Sequence, residues 1–312
     1  MMRYSLARPG QIHRHDATPV MNSALLRVWV RSVRLSLPLM AASVAVAQTG
    51  SRPDTAARAT APGIQDNSFL CEEAYNQAPG VVQHIFTFTR DQRSPAAQLT
   101  FVQEWPVGGM THQLSYGVTL VRDGGPSGAG LGDLRLNYRY QLAGDGDAAV
   151  AVAPRFTAIL PTGDYRRGRG AGAVGLETWL PVSVVVANRF VAHANLGLTL
   201  TPHARDAQRA RATTHDWTAG GSVVWLAHSR VNFLVEVLYQ RHEDVIGTDA
   251  TDASSQVTIS PGVRWAYNFA AGLQIVPGLA FPLGAGPSHG QRSALAYLSF
   301  EHAFTTAARS NH

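Results

Sequence analysis

Residues 130–142 alternate between apolar and polar side chains, without a break from Asp133 onward. A β-strand places successive side chains on opposite faces, so this stretch is predicted to be a strand with one apolar and one charged face. Leucine with tyrosine at one end is typical of a lipid-facing band and its aromatic girdle, and mixed charge is typical of an enclosed wet lumen. The apolar face carries Leu134, Leu136, Tyr138, Tyr140 and Leu142, and the polar face Asp133, Arg135, Asn137, Arg139 and Gln141.

Comparable alternating segments recur along the chain after Gly80. Each has about the length that a tilted strand needs to cross a membrane. Their repetition predicts an all-β fold, a transmembrane antiparallel up-and-down β-barrel of about twelve strands, with ten or fourteen as the nearest alternatives. The predicted strands are 81–90, 97–106, 111–121, 131–142, 148–160, 173–186, 189–201, 216–228, 230–241, 255–268, 271–281 and 293–304.

The connections between these segments alternate between long and short. Outer-membrane barrels show this asymmetry, with tight periplasmic turns and longer extracellular loops, whereas a soluble sandwich has no reason to do so. The pattern therefore places the protein in a bacterial outer membrane. The predicted long connections include 202–215 and 242–254.

The ends of the chain have a different composition. Residues 1–47 combine Arg27, Arg31 and Arg34 with a short apolar stretch and an Ala-Val-Ala end, which predicts a secretory signal peptide whose start is Met21. Residues 48–80 are predicted to be a disordered or plug-like periplasmic segment, with a short helix open as an alternative within 67–80. The barrel then occupies 81–304, and 305–312 is a C-terminal tail.

Charge and cysteine content exclude two classes of protein. All 26 basic residues are Arg, but six of them and only one acidic residue precede the cleavage point, so the remaining chain is close to neutral. Nucleic-acid binding is therefore not predicted. A single cysteine, Cys71, excludes a disulfide framework within the chain.

Three segments resemble a known family. They are 74–83, 130–142 with its G-L-G-D-L-R-L-N-Y-R-Y pattern, and 154–164 with its L-P-T-G-D ending. The family is that of outer-membrane barrels named for the meta-pathway of phenol degradation, often labelled simply as transporters. The resemblance covers about 70–304 and implies a porin-like or transport role for small molecules, without residue-level chemistry.

The sequence offers no pattern for catalysis, a cofactor or a metal site. His193 and Asn195 share the lumen-facing side of a strand, but a serine nucleophile would have to come from another strand and no G-x-S-x-G motif is present. The histidines of the strands are scattered singly, without the spacing of a dedicated metal site. Catalytic, cofactor-binding and metal residues are therefore all predicted to be none.

The remaining candidates are charged side chains on lumen-facing positions. Opposite charges in a narrow lumen should pair across neighbouring strands, and such residues either brace the barrel or form a constriction that selects solutes by charge. In the long connections, arginines at 166, 167, 169, 205, 209 and 211 could bind lipopolysaccharide phosphates or attract anionic solutes. The lumen-facing candidates are Asp133, Arg135, Arg139, Arg155, Glu177, Glu236 and Arg264.

These observations lead to one leading function and two alternatives. The leading function is a channel or transporter for small solutes, hydrophobic or aromatic ones included. A non-conducting barrel with a lipid-binding, partner-binding or structural role is the first alternative, and an outer-membrane hydrolase the second. The partners expected are outer-membrane lipid and lipopolysaccharide, the barrel-assembly machinery and a small-molecule solute.

Overall fold

A computed structural model describes Ile64 and residues 66–123, 128–145, 147–270 and 272–304. The predicted signal peptide, most of segment 48–65 and the predicted tail 305–312 lie outside the described residues.

Twelve antiparallel strands form the barrel wall, in which each strand pairs with the next. Strands β4, β5 and β11 are each interrupted once, and β10 is followed by a short continuation, Tyr267–Asn268. The bounds are β1 Val81–Asp91, β2 Ala97–Val107, β3 His112–Arg122, β4 Ala129–Leu131 with Leu134–Tyr140, β5 Val150–Val152 with Arg155–Leu160, β6 Gly175–Ala187, β7 Phe190–Arg205, β8 Arg211–His228, β9 Val231–Gly247, β10 Ala250–Trp265, β11 Gln274–Ala280 with Leu283–Ala285, and β12 Ser293–Ala303.

The sheet closes on itself, because β1 also pairs with β12. Their register runs from Val81 opposite Ala303 to Asp91 opposite Ser293. A closed sheet has no free edge. A sheet within lipid must be closed, because lipid offers no hydrogen-bond partners to the backbone groups of a free edge. The predicted twelve-stranded antiparallel up-and-down barrel is thereby confirmed.

Alternation sorts side chains to the two faces of the wall as predicted. On β1 to β3, the outward positions Phe88, Leu99 and Leu120 are between 38% and 42% exposed. On β8 and β9, Trp217 and Tyr239 lie on the outward face toward the long-connection end, where an aromatic girdle is expected. The inward face is dominated by Thr, Ser, Gln, Asn and charged residues.

Two sequence-based expectations were wrong. The connections predicted as long loops at 202–215 and 242–254 are mostly strand, because β7 to β10 are 16 to 18 residues long. Strands of this length exceed what the membrane requires, so these four project beyond the lipid on one side of the mouth. The second error concerns 67–80, which contains bends and a turn but no helix.

The described part of the chain contains only two helical elements, the single 3₁₀ turns Tyr165–Arg167 and Gly286–Ser288. Among these residues, no helix is long and apolar enough to cross a membrane.

Candidate functional site

Residues 66–77 lie inside the barrel, and we call them the luminal strap. The strap has no regular secondary structure, so its backbone N–H groups need partners from elsewhere. Inward-facing side chains of the wall supply them. Glu236 Oε1, for example, accepts the N–H groups of both Leu70 and Cys71, at 2.7 and 2.9 Å.

The order of these contacts shows the path of the strap. It starts at Asp66, whose carboxylate accepts from Gln83 on β1 and from Tyr297 and Ser299 on β12, and it ends at Gln77, which returns to Gln83. The strap therefore follows the inner wall around the barrel, near the end with the short turns. Between its ends the wall partners, in strap order, are Arg264 on β10, Ser222 on β8, Glu236 on β9, Asn195 on β7, Ser183 on β6, Gln141 just after β4, and Gln113 on β3.

One aromatic side chain anchors the strap in the wall. The ring of Phe69 is 8% exposed and packs 5.1 Å from the ring of Tyr297, centroid to centroid. The ring lies against the backbone of Gly262 and Gly278, and we call these two positions its glycine seat. A Cβ added at Gly278 would lie 2.5 Å from Phe69 Cζ, and one at Gly262 would lie 2.6 Å from Phe69 Cε2. Only glycine at these two wall positions leaves room for the ring.

Six charged side chains form a continuous ion-pair chain beside the strap. Arg135 pairs with Glu177, and Glu177 also pairs with Arg155 at 3.1 Å. Arg155 contacts Glu72 of the strap at 2.8 Å. Glu72 lies 3.9 Å from Arg139, which is 3.6 Å from Glu104. Three positive and three negative charges thus alternate, and one of the negative charges belongs to the strap.

Four of the seven candidate residues lie together in this ion-pair chain, namely Arg135, Arg139, Arg155 and Glu177. Glu236 and Arg264 lie elsewhere on the wall and bind the strap backbone, Arg264 through the carbonyl oxygens of Ile64, Asp66 and Asn67. Asp133 stands apart from all of them. Its carboxylate accepts the N–H groups of Gly163 and Ala171, at 2.9 and 2.8 Å, and so fastens the connection between β5 and β6.

Burial changes the acidity of two strap carboxyl groups. Burial raises the pKa of Asp66, and the nearby Arg264 guanidinium and the hydrogen bonds from Ser299 and Tyr297 offset only part of this effect. Burial also raises the pKa of Glu73 to about 8; Asp66 adds to this increase, while Arg264 and Arg139 oppose it. Near neutral pH, Glu73 therefore carries its proton for much of the time.

A serine and a histidine do meet inside the barrel. Ser183 Oγ lies 2.7 Å from His193 Nδ1, and it also accepts the N–H of Ala74 at 2.8 Å. The Ser183 side chain is completely buried beneath the strap. A substrate has no access to this hydroxyl while the strap is in place, so the pair acts as a strap contact. Within the described residues, no group of three or more His, Cys, Asp or Glu side chains could hold a metal ion.

The arginines of the long connections have separate environments. Arg167 pairs with Asp164 at 3.4 Å, and Arg169 is buried and donates to the carbonyl oxygen of Gly128. The guanidinium groups of Arg166 and Arg205 both lie over the ring of Tyr165, at 5.6 and 5.7 Å from its centroid. These arginines therefore mostly organise the connection between β5 and β6.

Several wall residues of the site were not predicted. Glu104, Gln113, Ser222 and Ser299 occupy inward positions of strands whose alternation was recognised, so their orientation was available from the sequence. The strap residues Asp66 and Glu72 gave no such signal, because a segment without periodicity does not show which side chains point inward.

Residues 74–281 match the family model described as "Putative MetA-pathway of phenol degradation". Among curated proteins, none matches the sequence.

Solved structures of outer-membrane barrels resemble the chain. An outer membrane channel from Pseudomonas putida F1 has a TM-score of 0.57 at 11% identity, covering 74% of this chain and 98% of the other. The NanC porin has a TM-score of 0.48 at 8% identity, covering 70% and 98%, and the KdgM porin 0.44 at 8%, covering 72% and 99%. At 11% identity, the likeness to the Pseudomonas putida channel shows a shared fold and nothing more.

Proposed function

From its membership of the family described as "Putative MetA-pathway of phenol degradation", whose model matches more than half of the chain, we propose that the protein is an outer-membrane channel for small solutes. In this channel the luminal strap forms the constriction. The observation that carries this proposal is the path of the strap. It is bonded to the wall at nearly every strand, from Asp66 at the β1–β12 seam to Gln77 beside β3. A segment that follows the wall narrows the lumen without having to cross its axis.

The lining of the lumen supports small solutes of mixed polarity. Beyond the strap, toward the long connections, the half-buried inward positions include many threonines, which present both a hydroxyl and a methyl group. Ile85 and Leu295 belong to a buried apolar cluster of the interior, and the partly buried Val102 packs against it. Hydrophobic and aromatic solutes with one or two hydrogen-bonding groups fit such a lining. Half-buried inward threonines of this kind include Thr87, Thr89, Thr100, Thr119, Thr199 and Thr218.

A vestibule lies on the other side of the constriction. A cavity of about 470 Å³ opens at the short-turn end, between the strap and the turns that follow β2 and β10. Tyr75, Gln77, Phe269 and Glu301 are among its lining residues. A solute that passes the strap enters this space before it reaches the periplasm.

Twelve strands enclose much less space than the sixteen to eighteen of large water-filled porins, so selectivity falls to the few side chains at the constriction. Arg135 is the most accessible member of the ion-pair chain, with 35% of its side chain exposed. It is therefore the residue of this group that a passing solute meets directly.

The test is conductance of the refolded full-length protein in a planar bilayer, followed by liposome uptake of a solute panel that spans charge and polarity. We expect small channels, and uptake that favours small solutes. Absence of conductance, both for the full chain and for a variant that lacks 64–77, would sink the proposal.

A second candidate function is a non-conducting barrel that binds lipid or a partner protein. The dense bonding of the strap favours it, because a strap that never leaves the wall would keep a tightly filled lumen closed. Conductance of the strap-deleted variant alone, with a silent full-length protein under all conditions, would identify this function. In neither case do we propose enzymatic activity, because the strap covers Ser183 and His193.

A further inference from the structure

Two arginines lie close together on the outer face of the barrel, at the long-connection end. In the register of β1 to β3, Arg90 is opposite Ala97, and Ala97 is opposite Arg122. The two arginines are thus separated by one strand, and their backbones are roughly 10 Å apart. Only the methyl group of Ala97 stands between their side chains. On the other side of Arg90, the neighbour on β12 is also small, Ala294.

The same register shows that this row borders the apolar band. The next outward row toward the membrane centre is Phe88, Leu99 and Leu120, which are paired in the same way. Two residues along a strand correspond to roughly 7 Å. Arg90 and Arg122 therefore lie at the height where lipid headgroups meet the acyl chains, and their side chains point toward the lipid.

Neither guanidinium has a protein partner in the described part of the chain. Both arginines are exposed, and neither takes part in any of the ion pairs or side-chain hydrogen bonds there. Arg241 on β9 provides a contrast, because it pairs with Glu243 at 2.7 Å. Two neighbouring unpaired positive charges repel one another, and an anion between them removes this cost.

We propose that Arg90 and Arg122 together bind one phosphate group of a phosphorylated glycolipid in the outer leaflet, lipopolysaccharide. Guanidinium groups match phosphate oxygens in a bidentate geometry, and Ala97 leaves the space in which the phosphate is held. The acyl chains of the same lipid lie along Phe88, Leu99 and Leu120. This site is independent of conduction through the lumen.

The arrangement also distinguishes this pair from the arginines of the long connections. Arg166 and Arg205 pack on Tyr165, and Arg167 pairs with Asp164. Arg211 lies outward on β8 but six residues beyond the girdle residue Trp217, roughly 20 Å along the strand. Those arginines therefore do not border the apolar band as Arg90 and Arg122 do.

The experiment measures binding of purified phosphorylated lipid A to the detergent-solubilised full-length barrel by native mass spectrometry. The variant is R90Q with R122Q, and the matched control is R209Q with R211Q, which removes the same charge from exposed positions beyond the apolar band, at the start of β8 and in the connection before it. Dephosphorylated lipid A serves as the second probe. We expect the R90Q/R122Q variant to bind phosphorylated lipid A about tenfold or more weakly, the control to bind like the native chain, and dephosphorylated lipid A to bind all three equally.

The proposal is overturned if the R90Q/R122Q variant binds phosphorylated lipid A as tightly as the native chain does. It is equally overturned if the native chain does not distinguish the two lipids, if the control loses as much affinity, or if inorganic phosphate displaces the lipid at equal concentration. Heat-modifiable migration on a denaturing gel verifies that each variant is folded. If the double variant does not fold, R90Q and R122Q are measured singly, and each must weaken binding.

Discussion

Arg139 Nη2 donates a hydrogen bond to the carbonyl oxygen of Tyr75 at 2.7 Å, with the guanidinium almost fully buried. The same guanidinium donates to Asn76 Oδ1 and to the carbonyl oxygen of Glu73. One wall side chain thus fixes three successive parts of the strap. Because a buried charge is costly without partners, the strap and Arg139 each supply what the other needs.

Replacing Arg139 by Met should loosen the strap at this point. The variant loses all three hydrogen bonds and leaves Glu104 without its cation, a change that costs about 3–5 kcal/mol for a buried pair. We expect a larger single-channel conductance with more open-channel noise. Arg209→Met on an exposed connection is the control and should conduct like the native chain. Equal conductance of all three proteins would contradict a strap-formed constriction.

The seat of Phe69 permits a double-mutant test. Gly278→Ala places a methyl group within contact of the ring, and such overpacking costs about 1–3 kcal/mol. We expect increased protease sensitivity of the strap in this variant. Adding Phe69→Leu, whose side chain is smaller, should recover much of the loss. Additive effects of the two substitutions would show that the ring does not occupy the glycine seat.

The assignment of faces can be tested with one outward and one inward position of the wall. Leu136 is 44% exposed on the outer face, so Leu136→Arg should cost about 2–4 kcal/mol, measured by urea unfolding in lipid vesicles. Thr87→Arg on the inward face should cost clearly less, because Thr87 is only half-buried and faces the lumen. Similar costs would mean that the two faces are misassigned.

Arg135 should set part of the ion preference. Arg135→Gln leaves Glu177 with Arg155 as its remaining cation and removes one accessible positive charge. We expect the reversal potential in a salt gradient to shift toward cations while the gel migration of the folded barrel is unchanged. An unchanged reversal potential would leave Arg135 as a structural brace.

Conductance should also depend on pH through Glu73. Its pKa is raised by burial from 4.5 to about 8, so the docked strap favours the protonated form. Docking is therefore most stable below about pH 4.5, weakens as the pH rises from there to about 8, and changes little through this group at higher pH. We expect conductance to increase over this window. Asp66, Glu104, Arg139 and Arg264 also face Glu73, so the comparison needs Glu73→Gln, in which the increase should largely disappear.

The wall could be predicted from the sequence because a period of two carries nearly all its information. Strand number and inward positions such as Arg155 and Glu177 follow from alternation, whereas the far ends of β7 to β10 do not. Alternation shows which face of the wall a side chain lies on, however, but not how deeply the side chain is buried. Asn137 would have looked like an unconstrained lumen position, yet it is buried and bonded to Ser115, Thr157 and Arg155.

The interior was harder to predict, because the contacts there join positions far apart in the chain. The contacts of Leu70 with Glu236 and of Glu72 with Asn195 depend on how the strap lies, and the strap has no periodic pattern. Its composition predicted disorder or a short helix. Most of its hydrogen-bond partners belong to the wall, so its own sequence does not show how it is held.

The strap bridges the closing seam, and this has implications for the order of assembly. Asp66 bonds Gln83 on the first strand and Ser299 on the last, which is also the last strand to leave the ribosome. Its full set of partners therefore exists only after β12 has joined β1. The strap is synthesised before the barrel strands, yet it can dock fully only after the final strand has paired. A fully docked strap therefore indicates that the barrel has closed.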